Sequence, residues 1–157
     1  MSLDQKIIDD LILCPKRIIK PPSQWKLEKG NYRTGFELQS EDEKYFFTAF
    51  GRYNEMFNEN FSFGLVYFPK HEKGRYEILR CNGPRGEHIQ FPHHIHYHID
   101  KATQQNIDSG FREDASIEIT DQYTNFEEAY RFFVKYINVN QGDIDSIMPP
   151  KQLNLFD

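Results

Sequence analysis

Phe61-Ser62-Phe63-Gly64-Leu65-Val66-Tyr67-Phe68 is the stretch on which the fold turns. It is apolar and β-branched or aromatic nearly throughout, which is the composition of a buried strand. The turn-forming run 69–74 follows, and residues 75–81 pair back on it as a hairpin partner, with Tyr76 and Ile78 on one face and Leu79 and Cys81 near the other. Asn82-Gly83-Pro84-Arg85-Gly86 is a second strong turn signal. Upstream, Phe36 and Leu38 alternate with Glu37 and Gln39 in a half-buried strand. Residues 44–53 form the next one, with Tyr45, Phe47 and Ala49 on one side and Phe46 and Phe50 on the other. Apolar groups on both faces mark a central strand or a bend. Downstream, 102–108 is a short helix ended by Gly110, and Ala115, Ile117 and Ile119 alternate as another strand.

Helices bracket these strands. Residues 2–14 carry Leu3, Ile7, Ile8, Leu11 and Ile12 at helical intervals behind a Ser2/Gln5 capping-box spacing, and Pro15 stops them. Lys16, Arg17 and Lys20, followed by Pro21-Pro22, read as a linker with an exposed basic cluster. Phe126, Ala129, Tyr130, Phe133, Val134 and Ile137 recur at i, i+3, i+4, i+7, i+8 and i+11 behind a capping box at Thr124 to Glu127. Hairpins and meanders fit better than alternating βαβ units. The expected fold is α+β: a twisted antiparallel sheet of about five or six strands, with an N-terminal and a C-terminal helix packed on one face. The expected organisation is one domain over 1–139 and a flexible tail over 140–157.

The chain has 157 residues, enough for one core, and its 14 Phe, 9 Tyr and 1 Trp supply the buried area that a 38% hydrophobic content would not suggest. Net charge is −5, which argues against nucleic-acid binding by bulk charge and leaves only a local patch. No long apolar run or signal peptide is present, so no membrane partner is expected. Cys14 and Cys81 are far apart and outside any C-x-x-C spacing, which points to a reduced, cytoplasmic location.

Five of the six histidines fall in residues 86–100. On a strand, His94, His96 and His98 share one face. Three readings follow. The first is a metal site: neutral imidazoles bind zinc or another divalent transition metal. The outer two ligands stand roughly 13 Å apart at about 3.3 Å per residue, so a pair such as His94 and His96, helped by His88, Glu87 or Asp100, fits one ion better than the triad. The second is metal-free catalysis with His94, His96 and His98 as acid and base, beside Arg75, Arg80 and Arg85 holding a phosphate. The third is structural, with the histidines hydrogen-bonded along a half-buried face.

The last stretch, NVNQGDIDSIMPPKQLNLFD, reads as a flexible tether, a proline spacer and a short apolar hook. Gln152-Leu153-Asn154-Leu155-Phe156 resembles the peptide motif by which replication and repair proteins bind the bacterial sliding clamp, Gln-Leu-x-Leu-Phe in its five-residue form. The resemblance implies the clamp as partner. Leu155 and Phe156 would be the anchors in an apolar pocket, Leu153 would fill a neighbouring one, and Gln152 would hydrogen-bond at the rim. The alternative is that this hook packs back on its own domain as a final strand.

Residues 60–139 are similar to an uncharacterised bacterial domain family of unknown function. The likeness rests on Asn60 to Leu65, Leu79 to Pro84, His94 to His98 and the helix from Phe126 to Ile137. A more distant likeness in layout, a strand, a histidine-rich turn and strand, and a closing helix, is to TumE-type toxins, which implies ribonuclease or nucleotidyl-transfer chemistry. The leading expectation is a small accessory protein of phage, mobile-element or defence origin that docks the clamp. The competing expectations are a histidine-based nuclease and a non-enzymatic interaction module.

Overall fold

The computed structural model describes residues 3–84, 96–109 and 116–148. Its elements run α1 (Gln5–Leu13), β1 (Lys16–Lys20), β2 (Lys26–Glu28), β3 (Asn31–Ser40), β4 (Phe46–Asn54), β5 (Phe61–Phe68), β6 (Tyr76–Asn82), β7 (His98–Lys101), α2 (Gln104–Ser109), β8 (Ser116–Ile119), α3 (Phe126–Tyr136) and α4 (Gln141–Ile147). The strands form one sheet in the order β1-β3-β4-β5-β6-β7-β8, with β2 also paired to β3, and every strand pairing is antiparallel. The class is α+β, as the patterning requires.

Among the described residues the sheet has eight strands rather than five or six. The additional ones are short and lie on an edge. The basic run 16–20, expected as linker, pairs with the C-terminal half of β3, and β2 pairs with its N-terminal half. Pro21 and Pro22 separate the two, as fits residues that cannot donate to a ladder. A tight turn then joins β2 to β3: Lys29 and Gly30 both have positive φ, 50° and 82°, the requirement of a type I′ hairpin. The cluster is not wholly solvated either. Lys16 is fully buried. Its ammonium donates to the carbonyls of Ile12 (2.7 Å), Cys14 (2.9 Å) and Ile137 (2.9 Å) and stands 4.9 Å from the Phe47 ring centroid. Ile12 lies in the last turn of α1 and Ile137 caps α3, so one cation satisfies carbonyls at two helix C-termini.

One face of the sheet carries the core. Phe36, Leu38, Phe47, Ala49, Phe61, Phe63, Leu65, Leu79, Cys81 and Ile99 join Ile8, Leu11 and Ile12 of α1 and Ala129, Tyr130, Phe133 and Val134 of α3 in one buried cluster. Phe63 stacks on Tyr130 at 4.8 Å and lies 6.1 Å from Phe133. Burying each such side chain contributes roughly 1.5–3 kcal/mol. The helix starts fall one or two residues from their expected places. Asp4, not Ser2, caps α1 by accepting from the Ile7 amide at 2.8 Å. Asn125, not Thr124, caps α3, and Glu128 reaches back to the Thr124 amide at 2.9 Å. The box is the same device moved one residue on.

The folded body also extends past 139. Val139 bridges to Lys16, and Asn140 caps α4 by accepting from the Asp143 amide. The Asp143 carboxylate accepts from the Ile18 amide at 2.8 Å, and Ile144 is buried. The polar run 140–143 is a helix cap and an edge clamp, not a tether. Residues 149–157, with Gln152, Leu153, Leu155 and Phe156, lie outside the described residues.

A polar row and an arginine-lined cavity on the far face

Strand alternation sends a second set of side chains away from the helices. Registers set Arg33 opposite Arg52, Arg52 opposite Ser62, Ser62 opposite Asn82, and Asn82 opposite His98, one row across β3 to β7. The adjacent row runs Gly35, Phe50, Gly64, Arg80 and Asp100. Exposure falls along the first row. Arg33 is exposed and Arg52 half-buried, while Ser62, Asn82 and His98 are each 1% exposed.

The buried members are hydrogen-bonded in series. Arg52 donates to Ser62 Oγ at 3.2 Å, Ser62 Oγ donates to Asn82 Oδ1 at 2.6 Å, and Asn82 Nδ2 donates to Asp100 Oδ2 at 3.3 Å. A guanidinium can only donate and a carboxylate can only accept, so the end groups fix the orientation of the hydroxyl and the amide between them. The donors all point one way, from positive end to negative end, an alignment in which each bond polarises the next. Tyr123 closes the back of this region from the core side. Its buried hydroxyl lies 2.9 Å from the carbonyls of both Asn82 and His98, and burial pushes its pKa upward.

At the exposed end the row opens into a cavity of about 440 Å³ lined by Asn31, Arg33, Phe50, Arg52, Asn60, Ser62 and Arg80. Three of those seven are arginines and none is acidic. Arg52 is aimed by neutral acceptors: its Nη1 donates to Asn31 Oδ1 at 2.9 Å and its Nη2 to Asn60 Oδ1 at 3.2 Å. Arg80 Nε sits 2.6 Å from Glu77 Oε1 and its guanidinium 5.5 Å from the Phe50 ring centroid. The Phe50 ring occupies the space above Gly64, where a Cβ would come within 2.2 Å of Phe50 Cε1. Glycine at 64 is what lets the ring lie on the sheet.

The histidines are placed differently from a strand-long file. β7 begins only at His98, and His96 sits in an exposed bend before it. The His98 imidazole is enclosed, with Nδ1 2.8 Å from the His96 carbonyl and Nε2 3.8 Å from Asp100 Oδ1, a buried oxygen without a hydrogen bond of its own. His94, Glu87 and His88 lie outside the described residues. Among the described residues no group of three or more His, Cys, Asp or Glu side chains is arranged to hold a metal ion. Of the expected phosphate ligands, Arg80 lines the cavity, Arg75 is exposed just before β6, and Arg85 lies outside the described residues.

No family model, curated protein or solved structure matches this chain. The site therefore stands on its own geometry. No described helix is long and apolar enough to cross a membrane. Sequence reasoning missed Arg33, Arg52, Ser62 and Asn82 as a group. The available signal was their polar character at positions alternating with core residues, but only the register shows that they share a row.

Proposed function

We propose that this protein is an accessory factor that docks the bacterial replication sliding clamp through Gln152, Leu153, Leu155 and Phe156. The observation that carries the reading is the complete Gln-Leu-x-Leu-Phe match at 152–156, placed after α4 and separated from it by Pro149-Pro150. Two adjacent apolar anchors with a polar rim residue suit a short peptide entering an apolar pocket. The folded body, from α1 to α4, serves as the cargo that the peptide brings to the clamp.

The test is binding of the full chain to purified clamp, compared with the chain lacking residues 152–157 and with the double substitution Leu155→Ala, Phe156→Ala. The reading predicts saturable binding that both changes abolish while thermal unfolding stays the same. Equal binding by all three proteins, or none by the full chain, rules it out.

A further inference from the structure

We infer that the outer edge of β8 takes an extended basic peptide strand from a partner protein, added antiparallel to the sheet. The inference goes beyond clamp docking and uses none of the tail residues.

The backbone comes first. β8 is the last strand in the sheet order. The Thr120 amide donates to the Tyr97 carbonyl at 2.9 Å. In an antiparallel ladder, Glu118 and Ser116 then also turn their amides and carbonyls toward β7. Those of Ile117 and Ile119 point away from the sheet, and among the described residues no backbone group pairs with them. The opposite edge is treated differently. On β1 the Lys16 amide donates to the Asn138 carbonyl, the Lys16 carbonyl accepts from the Asn140 amide, and Asp143 takes the Ile18 amide. Proteins blunt edges that must stay free with lysine, proline or a covering segment. β8 contains no lysine or proline, and no described segment pairs along its outer side.

Side chains say which strand fits. Ile119 stands opposite His98 and Ile117 opposite Asp100, both on the far face, and Ile119 is 59% exposed. Glu118, between them, is exposed on the other face and makes no ion pair among the described residues. Asp121, just past the strand, is exposed as well. An added strand therefore needs apolar side chains opposite Ile117 and Ile119 and a cation opposite Glu118. The pattern is apolar-basic-apolar. A second copy does not meet it, because pairing Ile117 with Ile119 across a two-fold axis sets Glu118 against Glu118, a destabilising like-charge pair. The chain's own tail has Asn154, not a cation, between Leu153 and Leu155.

The test uses the full chain and the synthetic peptide acetyl-Ser-Thr-Val-Lys-Val-Thr-Ser-amide, followed by amide chemical shifts and amide exchange. The inference predicts saturable shifts centred on β8 and slowed exchange at Ile117 and Ile119. N-methylation of the two valines removes the donors aimed at the edge and should weaken binding about tenfold or more. N-methylation of the lysine, whose amide points away, should leave it nearly intact. Exchanging the peptide lysine for glutamate should weaken binding about fivefold, and Glu118→Lys should recover the glutamate peptide. No shifts at roughly millimolar peptide, equal binding by the two N-methylated forms, or indifference to the charge exchange overturns the inference. So does self-association in sedimentation that Ile119→Asp abolishes, which gives the edge to a second copy. Tighter peptide binding by the chain lacking residues 152–157 gives the edge to the tail and overturns it too. Clamp binding is read in a different assay on different residues, so neither result decides the other.

Discussion

The two faces of the sheet use the same strands for opposite ends. Toward the helices, β3 to β7 present Phe36, Phe47, Phe61, Phe63, Leu79 and Ile99, fully enclosed and packed on α1 and α3. On the other side the same strands present Arg33, Arg52, Ser62, Asn82 and His98 in one row and Asp100 in the next, with hydrogen bonds in series from Arg52 to Asp100. Apolar contacts are interchangeable in kind, so the helix face specifies the fold. Directional polar contacts and concentrated positive charge are costly to a fold, so the far face contributes less to stability than the helix face.

The largest test of this contrast is Phe133→Ala. Phe133 is fully buried against Phe63, and its truncation should lower unfolding free energy by about 3–5 kcal/mol in denaturant titrations. A loss no larger than that of a far-face substitution would erase the distinction between the faces.

Lys16 sharpens it from the side of charge. Burial lowers its pKa from 10.5 to about 8, against the raising influence of Cys14. The folded value lies below the unfolded one, so between about pH 8 and pH 10.5 the unfolded chain binds more protons, and stability rises with pH through that window. The rise should approach about 3 kcal/mol relative to Lys16→Met, in which it disappears. Lys16 also pulls the Cys14 thiol pKa down, so both proteins carry Cys14→Ala and the difference then reports Lys16. Parallel pH profiles for the two proteins would show that the cation sits in water.

Asn82→Leu comes next. It leaves the Ser62 hydroxyl and Asp100 carboxylate without their shared partner in a buried place, at a cost of about 1–3 kcal/mol. Unchanged stability would mean that the series from Arg52 to Asp100 contributes nothing to the fold.

Arg33→Ala should have the smallest effect on stability, within about 0.5 kcal/mol, because the side chain is exposed and makes no contact that the fold needs. A marked gain in stability would be equally instructive, since it would measure the repulsion with Arg52 directly.

The fold was readable wherever the signal was local. The Phe126 to Ile137 periodicity produced α3 almost to the residue, and the alternation in 36–53 and the apolar run at 61–68 produced the central strands. Strand β1 was not readable. Lys16-Arg17-Ile18-Ile19-Lys20 between prolines has the composition of a solvated linker, and the carbonyl that completes the Lys16 cage, Ile137, is 121 residues away. The polar opening of α4 hid it for a similar reason: Asp143 is useful only because the Ile18 amide is near. The far-face site was half readable. Phe46 and Phe50 opposite Phe47 and Ala49 already indicated a strand with two faces, but the meeting of Arg33, Arg52 and Arg80 depends on register between three strands. The histidines drew attention by number, yet His98 is a buried side chain against its own backbone.

The contrast between the faces is tested most directly by denaturant titration of Phe133→Ala beside Arg33→Ala. The account predicts a loss of about 3–5 kcal/mol for the first and a change within about 0.5 kcal/mol for the second. Losses of equal size would contradict it.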